Sequence, residues 1–265
     1  MKTGFVEING QSLYYAETGD NTAEEALLVF NGIGANVETA AAFMSHFPTR
    51  RVITFDVPGV GRSPTPSLPY RYPNLTRLAA GLLDHLGVAR AAIFGVSWGG
   101  GLAQQFAHDF PERTDALILA ATTAGYVMAP GQARVLAKLA SPKRYSDSEM
   151  MLRIGPEIYG GLLRENSELL EGHMAAMSHS SPRGYIYQLL AITGWSSWGW
   201  LPRIKSRSLI LMGVDDPIVP PVNGRILADR LTNAELVEID CGHLFIVTLP
   251  AGTARTVENF LARAA

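Results

Sequence analysis

Residues 91–111 read AAIFGVSWGGGLAQQFAHDFP, and two kinds of structure meet inside them. The run 91–96 is short, apolar on both faces and rich in β-forming side chains, as a strand buried on both sides requires. From Trp98 onward, Leu102, Phe106 and Phe110 recur every four positions until Pro111, which is helix spacing with a terminator behind it. At the junction stands Gly95-Val96-Ser97-Trp98-Gly99, a G-x-S-x-G pattern between a predicted strand and a predicted helix. That context is the condition for a strained turn that holds the serine hydroxyl clear of the sheet. The hydroxyl then lies at a helix N-terminus, where developing negative charge is favoured. An ordinary glycine-rich turn could carry the same five residues; the strand and helix on either side argue for a nucleophile.

The same alternation extends in both directions. Runs 26–31 (ALLVFN), 52–56 (VITFD) and 116–121 (ALILAA) repeat the buried-strand character, and an opening hairpin is expected around Asn9-Gly10. In 74–86, Leu75, Leu78, Ala79, Leu82, Leu83 and Leu86 share a helical face, with Asn74 expected as the cap and Gly87 as the stop. Strands alternating with helices predict an α/β fold with a mostly parallel central sheet flanked by helices on both sides. From about Gly125 to Pro202 no strand is expected. Short helical stretches rich in Met, Tyr, Trp and Leu take over, cut by Pro130, Pro142, Pro156 and Pro182, and GWSSWGWLP (194–202) carries three tryptophans. Strand character returns at 208–214 and 234–240, with a helix between them and another at 251–263. The expected organisation is a core of 1–125 and 203–265 carrying a helical cap, or lid, of 126–202.

Composition excludes several function classes. Hydrophobic residues make up 47% of the 265 and charged ones 17%, enough to fill a core and still line an apolar pocket. A net charge of −2 without a basic block offers no footprint for nucleic acid. The single cysteine, Cys241, cannot form an internal disulfide, and no Cys/His spacing suits a metal. Neither a signal-peptide pattern at the start nor a membrane-span run is visible, so a soluble, cytoplasmic chain is expected, with neither metal nor organic cofactor.

A serine hydroxyl needs a base to take its proton. In this motif class the chain order is serine, acid, histidine. His46 and His85, expected on surface helices, precede Ser97, and His108, His173 and His179 stand before any suitable acid. His243, in CGHLF directly after the strand ELVEID, has the right order and a loop position at a strand's end. The acid is expected after the preceding strand, where LILMGVDDP supplies Asp215 and Asp216. Neighbours in an extended segment point apart, so one of them faces the histidine; we assign Asp216. Oxyanion donors are expected from the Trp98 N–H and from Ile33 in the loop NGIGAN (31–36), where Asn31 and Gly32 also let the backbone come close to a substrate. A rival lies in the same loop: a strand followed by G-x-G-x-x-V, with Asp56 closing the next strand, looks like a dinucleotide fingerprint. It lacks the third glycine, replaced by Val37, and leaves Ser97, Asp216 and His243 as coincidence. Failure to bind dinucleotide would dispose of it.

These residues resemble the α/β-hydrolase family, and within it the intracellular medium-chain-length polyhydroxyalkanoate depolymerases. The resemblance rests on FNGIGAN, FDVPGVG, GVSWGG running into LAQQFAHDFPER, LAATTAG, ASPKRY, IYGG, GVDDP and GHLF, which span most of the chain. It departs at Arg62 and Val214, neither of them one of the three polar residues. The resemblance implies Ser97 as nucleophile, Asp216 as acid, His243 as base, and Ile33 and Trp98 as oxyanion donors. It implies cleavage of the polymer's esters to 3-hydroxy acids or oligomers through an acyl-enzyme. Trp195, Trp198 and Tyr185 would line a groove for the alkyl side chains or meet a polymer granule surface; the alternative is that they form the cap's own core. A carboxylesterase, thioesterase or hydroxyacyl transferase on soluble medium-chain acyl substrates shares much of the pattern. A binding protein on the same fold would be labelled at Ser97 without turning substrate over.

Overall fold

The computed structural model describes residues 1–19, 25–139, 148–177 and 181–263. The apolar runs pair into one eight-stranded sheet in the order β1-β2-β4-β3-β5-β6-β7-β8. The strands are β1 (Lys2–Ile8), β2 (Gln11–Thr18), β3 (Ala26–Phe30), β4 (Arg51–Phe55), β5 (Ala91–Val96), β6 (Thr114–Ala120), β7 (Arg207–Gly213) and β8 (Ala234–Ile239). The first two form a hairpin closed by Asn9 and Gly10 at φ 52° and 76°, the left-handed pair such a turn demands. β2 runs antiparallel to β4, and every pairing from β4 to β8 is parallel.

Alternation along the central strands sends side chains to two cores. Leu28, Phe30, Ile93, Leu117, Leu119 and Ile210 join α2 (Tyr72–His85), α3 (Trp98–Asp109) and α8 (Val222–Arg230) on one face. Leu27, Val29, Phe94, Ile118, Leu209 and Leu211 join α1 (Val37–Met44), α9 (Phe245–Thr248) and α10 (Pro250–Ala262) on the other. Burial on both faces is why these strands read as unbroken apolar runs.

Two local expectations are corrected. α2 begins at Tyr72, not after Asn74; the Asn74 Oδ1 instead accepts the Arg71 N–H from the first turn, at 2.8 Å. Pro73 explains the earlier start, since its fixed φ suits a first helical turn and its missing N–H costs nothing there. His46 sits in the turn after α1 rather than in a helix.

Between β6 and β7 lie α4 (Ala133–Leu139), α5 (Ser148–Tyr159), α6 (Ser167–Ala176) and α7 (Pro182–Ile192). Among the described residues the one β-contact in this segment is an isolated bridge, Gly125 with Ser196. Pro182 starts α7, but Pro156 lies inside α5 and does not end it. His179 and the ASPKRY stretch, Pro142 included, fall outside the described residues. The segment has a small core of its own, Val135, Met151, Ile158, Leu163 and Leu170. Its last stretch is pinned to α3 through Gln104, a fully buried amide that accepts from the Ser197 hydroxyl at 2.6 Å and donates to the Gly100 and Thr123 carbonyls. No helix among the described residues is long and apolar enough to cross a membrane.

Candidate active site

Ser97 has φ 54° and ψ −119°, a backbone state that costs a non-glycine residue about 1–3 kcal/mol and persists only where the surroundings impose it. Here they do. The Ser97 N–H donates to the Ala120 carbonyl at 2.8 Å, and the Ser97 carbonyl accepts from the Gly100 N–H and the Thr122 hydroxyl. A side chain at Gly95 would run into Ala103 Cβ and Gly100 Cα at 2.7 Å. One at Gly99 would strike the carbonyls of Phe30 and Asn31. The two glycines of the pattern are therefore demands of packing: strand, turn and helix pass too close for any Cβ.

Parallel pairing of β5, β6, β7 and β8 brings their C-terminal ends side by side, so the loops after β5, β7 and β8 converge. The His243 Nε2 lies 3.0 Å from the Ser97 Oγ, and its Nδ1 lies 2.7 Å from the Asp216 Oδ2. Asp216 and His243 are buried. The other Asp216 oxygen accepts the N–H groups of Ile218 and Val219 at 2.9 and 2.8 Å, which fixes the carboxylate. With the Nδ1 proton donated to Asp216, Nε2 presents a lone pair to the serine hydroxyl. Asp215 turns the other way, half-exposed. It binds the Arg164 guanidinium through both oxygens and accepts the Gly161 N–H at 2.7 Å; the arginine holds its carboxyl below the usual range. The IYGG stretch thus braces the acid loop, and the His243 N–H donates to the Tyr159 carbonyl at 2.7 Å.

Above Ser97 opens a cavity of about 400 Å³, lined by Ser97, His243, Asn31, Gly32, Ile33 and Trp98 from the core, and by Tyr185 and Trp195 from the segment between β6 and β7. Gly32 sits so near the elbow that a Cβ there would lie 3.8 Å from the Ser97 Cβ. The Trp98 N–H is the first of α3 and so has no acceptor within its helix. Trp198 does not line the cavity: its ring lies half-exposed under the Arg230 guanidinium, 4.1 Å from the centroid, where the cation holds it on the outside. Trp195 belongs partly to packing, donating from Nε1 to Gln105 and meeting the Tyr72 ring edge-on.

Among the lining residues that the sequence did not mark is a histidine. His173 is 8% exposed and faces the cavity, and burial pushes its imidazole down to about 4. Its spacing, three after Leu170 and four before Met177, puts it on the apolar face of α6. Chain order, which sets His173 before the acid, points away from it. Asp56, the rival fingerprint's acid, is fully buried and binds backbone instead. Its oxygens accept the N–H groups of Val37 and Arg62 at 2.7 and 2.8 Å, although desolvation raises its carboxyl to about 6. It ties the start of α1 to the 57–63 loop. Among the described residues no cluster of three or more His, Cys, Asp or Glu is placed to hold a metal.

Residues 25–152 match the alpha/beta hydrolase fold family. The chain is 47% identical over 257 residues to a poly(3-hydroxyalkanoate) depolymerase of Ectopseudomonas oleovorans, covering 97% of this chain and 91% of that one. It is 27% identical to 3-oxoadipate enol-lactonase 2 of Acinetobacter baylyi, covering 95% and 94%. The crystal structure of a hydrolase from Pseudomonas aeruginosa PA01 superposes with a TM-score of 0.83 at 26% identity, over 98% of both chains. The enol-lactonase of Burkholderia xenovorans LB400 shares the fold, with a TM-score of 0.85 at 24% identity over 98% and 100%. A mostly parallel sheet with a serine on a strained turn after its fifth strand, and an identity near one half along almost the whole length, lead to one conclusion: the chain belongs to the α/β-hydrolase family.

Proposed function

We propose that this ester hydrolase cleaves the ester links of medium-chain-length poly(3-hydroxyalkanoate), using Ser97 as nucleophile and passing through an acyl-enzyme. The observation that carries the chemistry is the line from Asp216 through His243 to Ser97 at the floor of an apolar cavity. The observation that carries the substrate is the 47% identity to a poly(3-hydroxyalkanoate) depolymerase.

In this mechanism His243 takes the Ser97 proton through Nε2 as the Oγ attacks an ester carbonyl. Asp216 steadies the imidazolium. The oxyanion rests on the Ile33 and Trp98 amides; one such donor is worth about 10²–10³ in rate. His243 returns its proton to the leaving 3-hydroxyl. Water, activated by the same histidine, then attacks the acyl-enzyme and frees a 3-hydroxy acid or oligomer. Asn31 and Gly32 bring the loop backbone to the reacting ester, and Tyr185 and Trp195 hold the alkyl side chain. The helical cap of 126–202 keeps bulk water from this step. On its α7, Ile186 and Leu190 are exposed one helical turn apart, an apolar pair suited to a polymer granule inside the cell.

A soluble medium-chain ester or thioester is the second reading. It is favoured by the cavity's size, which lies within the range of small-molecule pockets. The deciding experiment is release of 3-hydroxy acids from an amorphous medium-chain poly(3-hydroxyalkanoate) suspension, with Ser97→Ala as blank. Release by the wild type alone supports the polymer. Silence on the polymer with turnover of a soluble ester selects the second reading.

A further inference from the structure

The cavity's polar side chains are mostly spoken for. Thr39 and Thr122 donate to the carbonyls of Asn36 and Ser97, the Asn31 amide donates to the Asn36 carbonyl, and the Tyr185 hydroxyl donates to the Leu139 carbonyl. Ser97 and His243 engage each other. His173 is different. It is more than nine-tenths buried and borders the cavity, and no other described residue hydrogen-bonds to its ring nitrogens. Its one packing partner of note is the Tyr159 ring, met edge-on at 5.9 Å. A buried polar group without a partner forfeits its hydration for nothing in return, so an imidazole that bonds no described residue and borders the cavity calls for a ligand there. Held neutral by burial, it offers one donor and one acceptor. A saturated acyl chain would satisfy neither. The acyl chain of a 3-hydroxyalkanoate carries an oxygen of the required kind, as a free hydroxyl at a chain end or as an ester oxygen within the polymer.

We propose that His173 is a specificity-determining residue that hydrogen-bonds an oxygen borne on the acyl chain, so that the site prefers oxygen-substituted acyl groups over plain alkanoyl groups of the same length. The proposal deepens the Ser97 ester-hydrolase reading and rests on it, but it does not require that the true substrate be a polymer.

The test compares ethyl octanoate, ethyl 3-hydroxyoctanoate and ethyl 3-acetoxyoctanoate. Two ratios of kcat/KM are read, hydroxy over plain and acetoxy over plain, in the wild type, His173→Phe and His173→Gln. Phenylalanine keeps the ring against Tyr159 and removes both polar nitrogens; glutamine keeps a donor and an acceptor. Loss of one hydrogen bond predicts a fall of about tenfold in the ratio for His173→Phe, with partial recovery in His173→Gln. A fall in the hydroxy ratio alone identifies a chain-end hydroxyl as the partner; a fall in both identifies the oxygen of a polymer repeat as well. A residue that merely packs would lower all three esters together and leave the ratios alone, and that result overturns the proposal. So does a wild type without preference for either oxygenated ester. The Kd values of the same esters for Ser97→Ala, with and without His173→Phe, read the preference without turnover. The role of His173 is thereby tested apart from the polymer: silence on a polymer suspension leaves both ratios measurable. If the wild type hydrolyses no ester at all, the Ser97 reading falls and the Kd ratio alone decides.

Discussion

Two adjacent aspartates show how far a single residue can be read. Asp215 and Asp216 are chemically identical neighbours, yet one faces His243 at 2.7 Å and the other an arginine at the surface. Alternation in an extended segment says that they diverge, which is legible; which of them points inward depends on how β7 lies in the sheet, which is not. For Ser97 the sequence context carries more, because glycines at 95 and 99 are there to remove clashes. Ser97→Ala should lower turnover of a soluble ester by roughly 10⁶-fold, the cost of losing the nucleophile in an unrelated serine hydrolase. A variant retaining near-wild-type turnover would contradict the assignment. His173 makes a separate prediction about stability. Folded, it stays neutral down to about pH 4; unfolded, it takes a proton near 6.5. Between those values the unfolded chain binds more protons, so this residue makes the protein less stable as pH falls from 6.5 to 4, by an amount on the order of 3 kcal/mol. Asp56 acts in the opposite sense. Folded, it holds its proton up to about pH 6 against 3.8 when unfolded, so it gains stability as pH falls through that range. The urea midpoint at pH 4.5, taken relative to that at pH 7, should therefore be higher for His173→Phe than for the wild type. An unchanged difference would mean that His173 is not held neutral.

At the scale of elements, the strands were read more easily than the ends of helices. Burial on both faces writes itself as an unbroken apolar run, whereas the start of α2 turns on Pro73 and on an Asn74 side chain that reaches back to the Arg71 N–H. Either asparagine geometry stabilises a first turn, and composition does not tell them apart. Less legible still were contacts between distant segments. α7 reaches the 31–36 loop through Gln188, fully buried, whose Oε1 accepts the Gly34 N–H at 2.9 Å; the Gln188 carbonyl accepts the Trp98 indole N–H, also at 2.9 Å. One residue of α7 thus touches both elements proposed to hold the oxyanion, and it sits 154 positions from Gly34 in sequence. We expect Gln188→Met to lower kcat by about tenfold or more with a smaller change in KM, since slight misplacement of a reacting group can cost about 10² in rate. The measurement is a full saturation curve on a soluble ester. A change confined to KM would show that α7 only shapes the binding cavity.

For the whole molecule, the tryptophans of 194–200 have to be separated from the outer face of the proposed cap. The sequence offers both as apolar and aromatic, but three-dimensional packing divides them. Trp195 and Trp200 meet each other at 6.1 Å between centroids, Trp195 packs on Tyr72, and Trp200 stacks on His108. They join the cap segment to α2 and α3, so truncating Trp195 to Ala should cost on the order of 3 kcal/mol of stability. It should impair soluble and polymeric substrates alike. Ile186 and Leu190 carry no such duty: both are exposed, at 50% and 39%, on one side of α7. An isolated exposed leucine needs no explanation, but an apolar pair beside the cavity's cover is placed to meet an insoluble surface. Replacing both with serine should reduce acid release from a polymer suspension severalfold more than it reduces turnover of a soluble ester. The polymer signal should recover at saturating suspension, because what is lost is adsorption rather than chemistry. Equal loss on both substrates would place these side chains in the cap's packing, and no loss on either would move the polymer contact elsewhere on the cap.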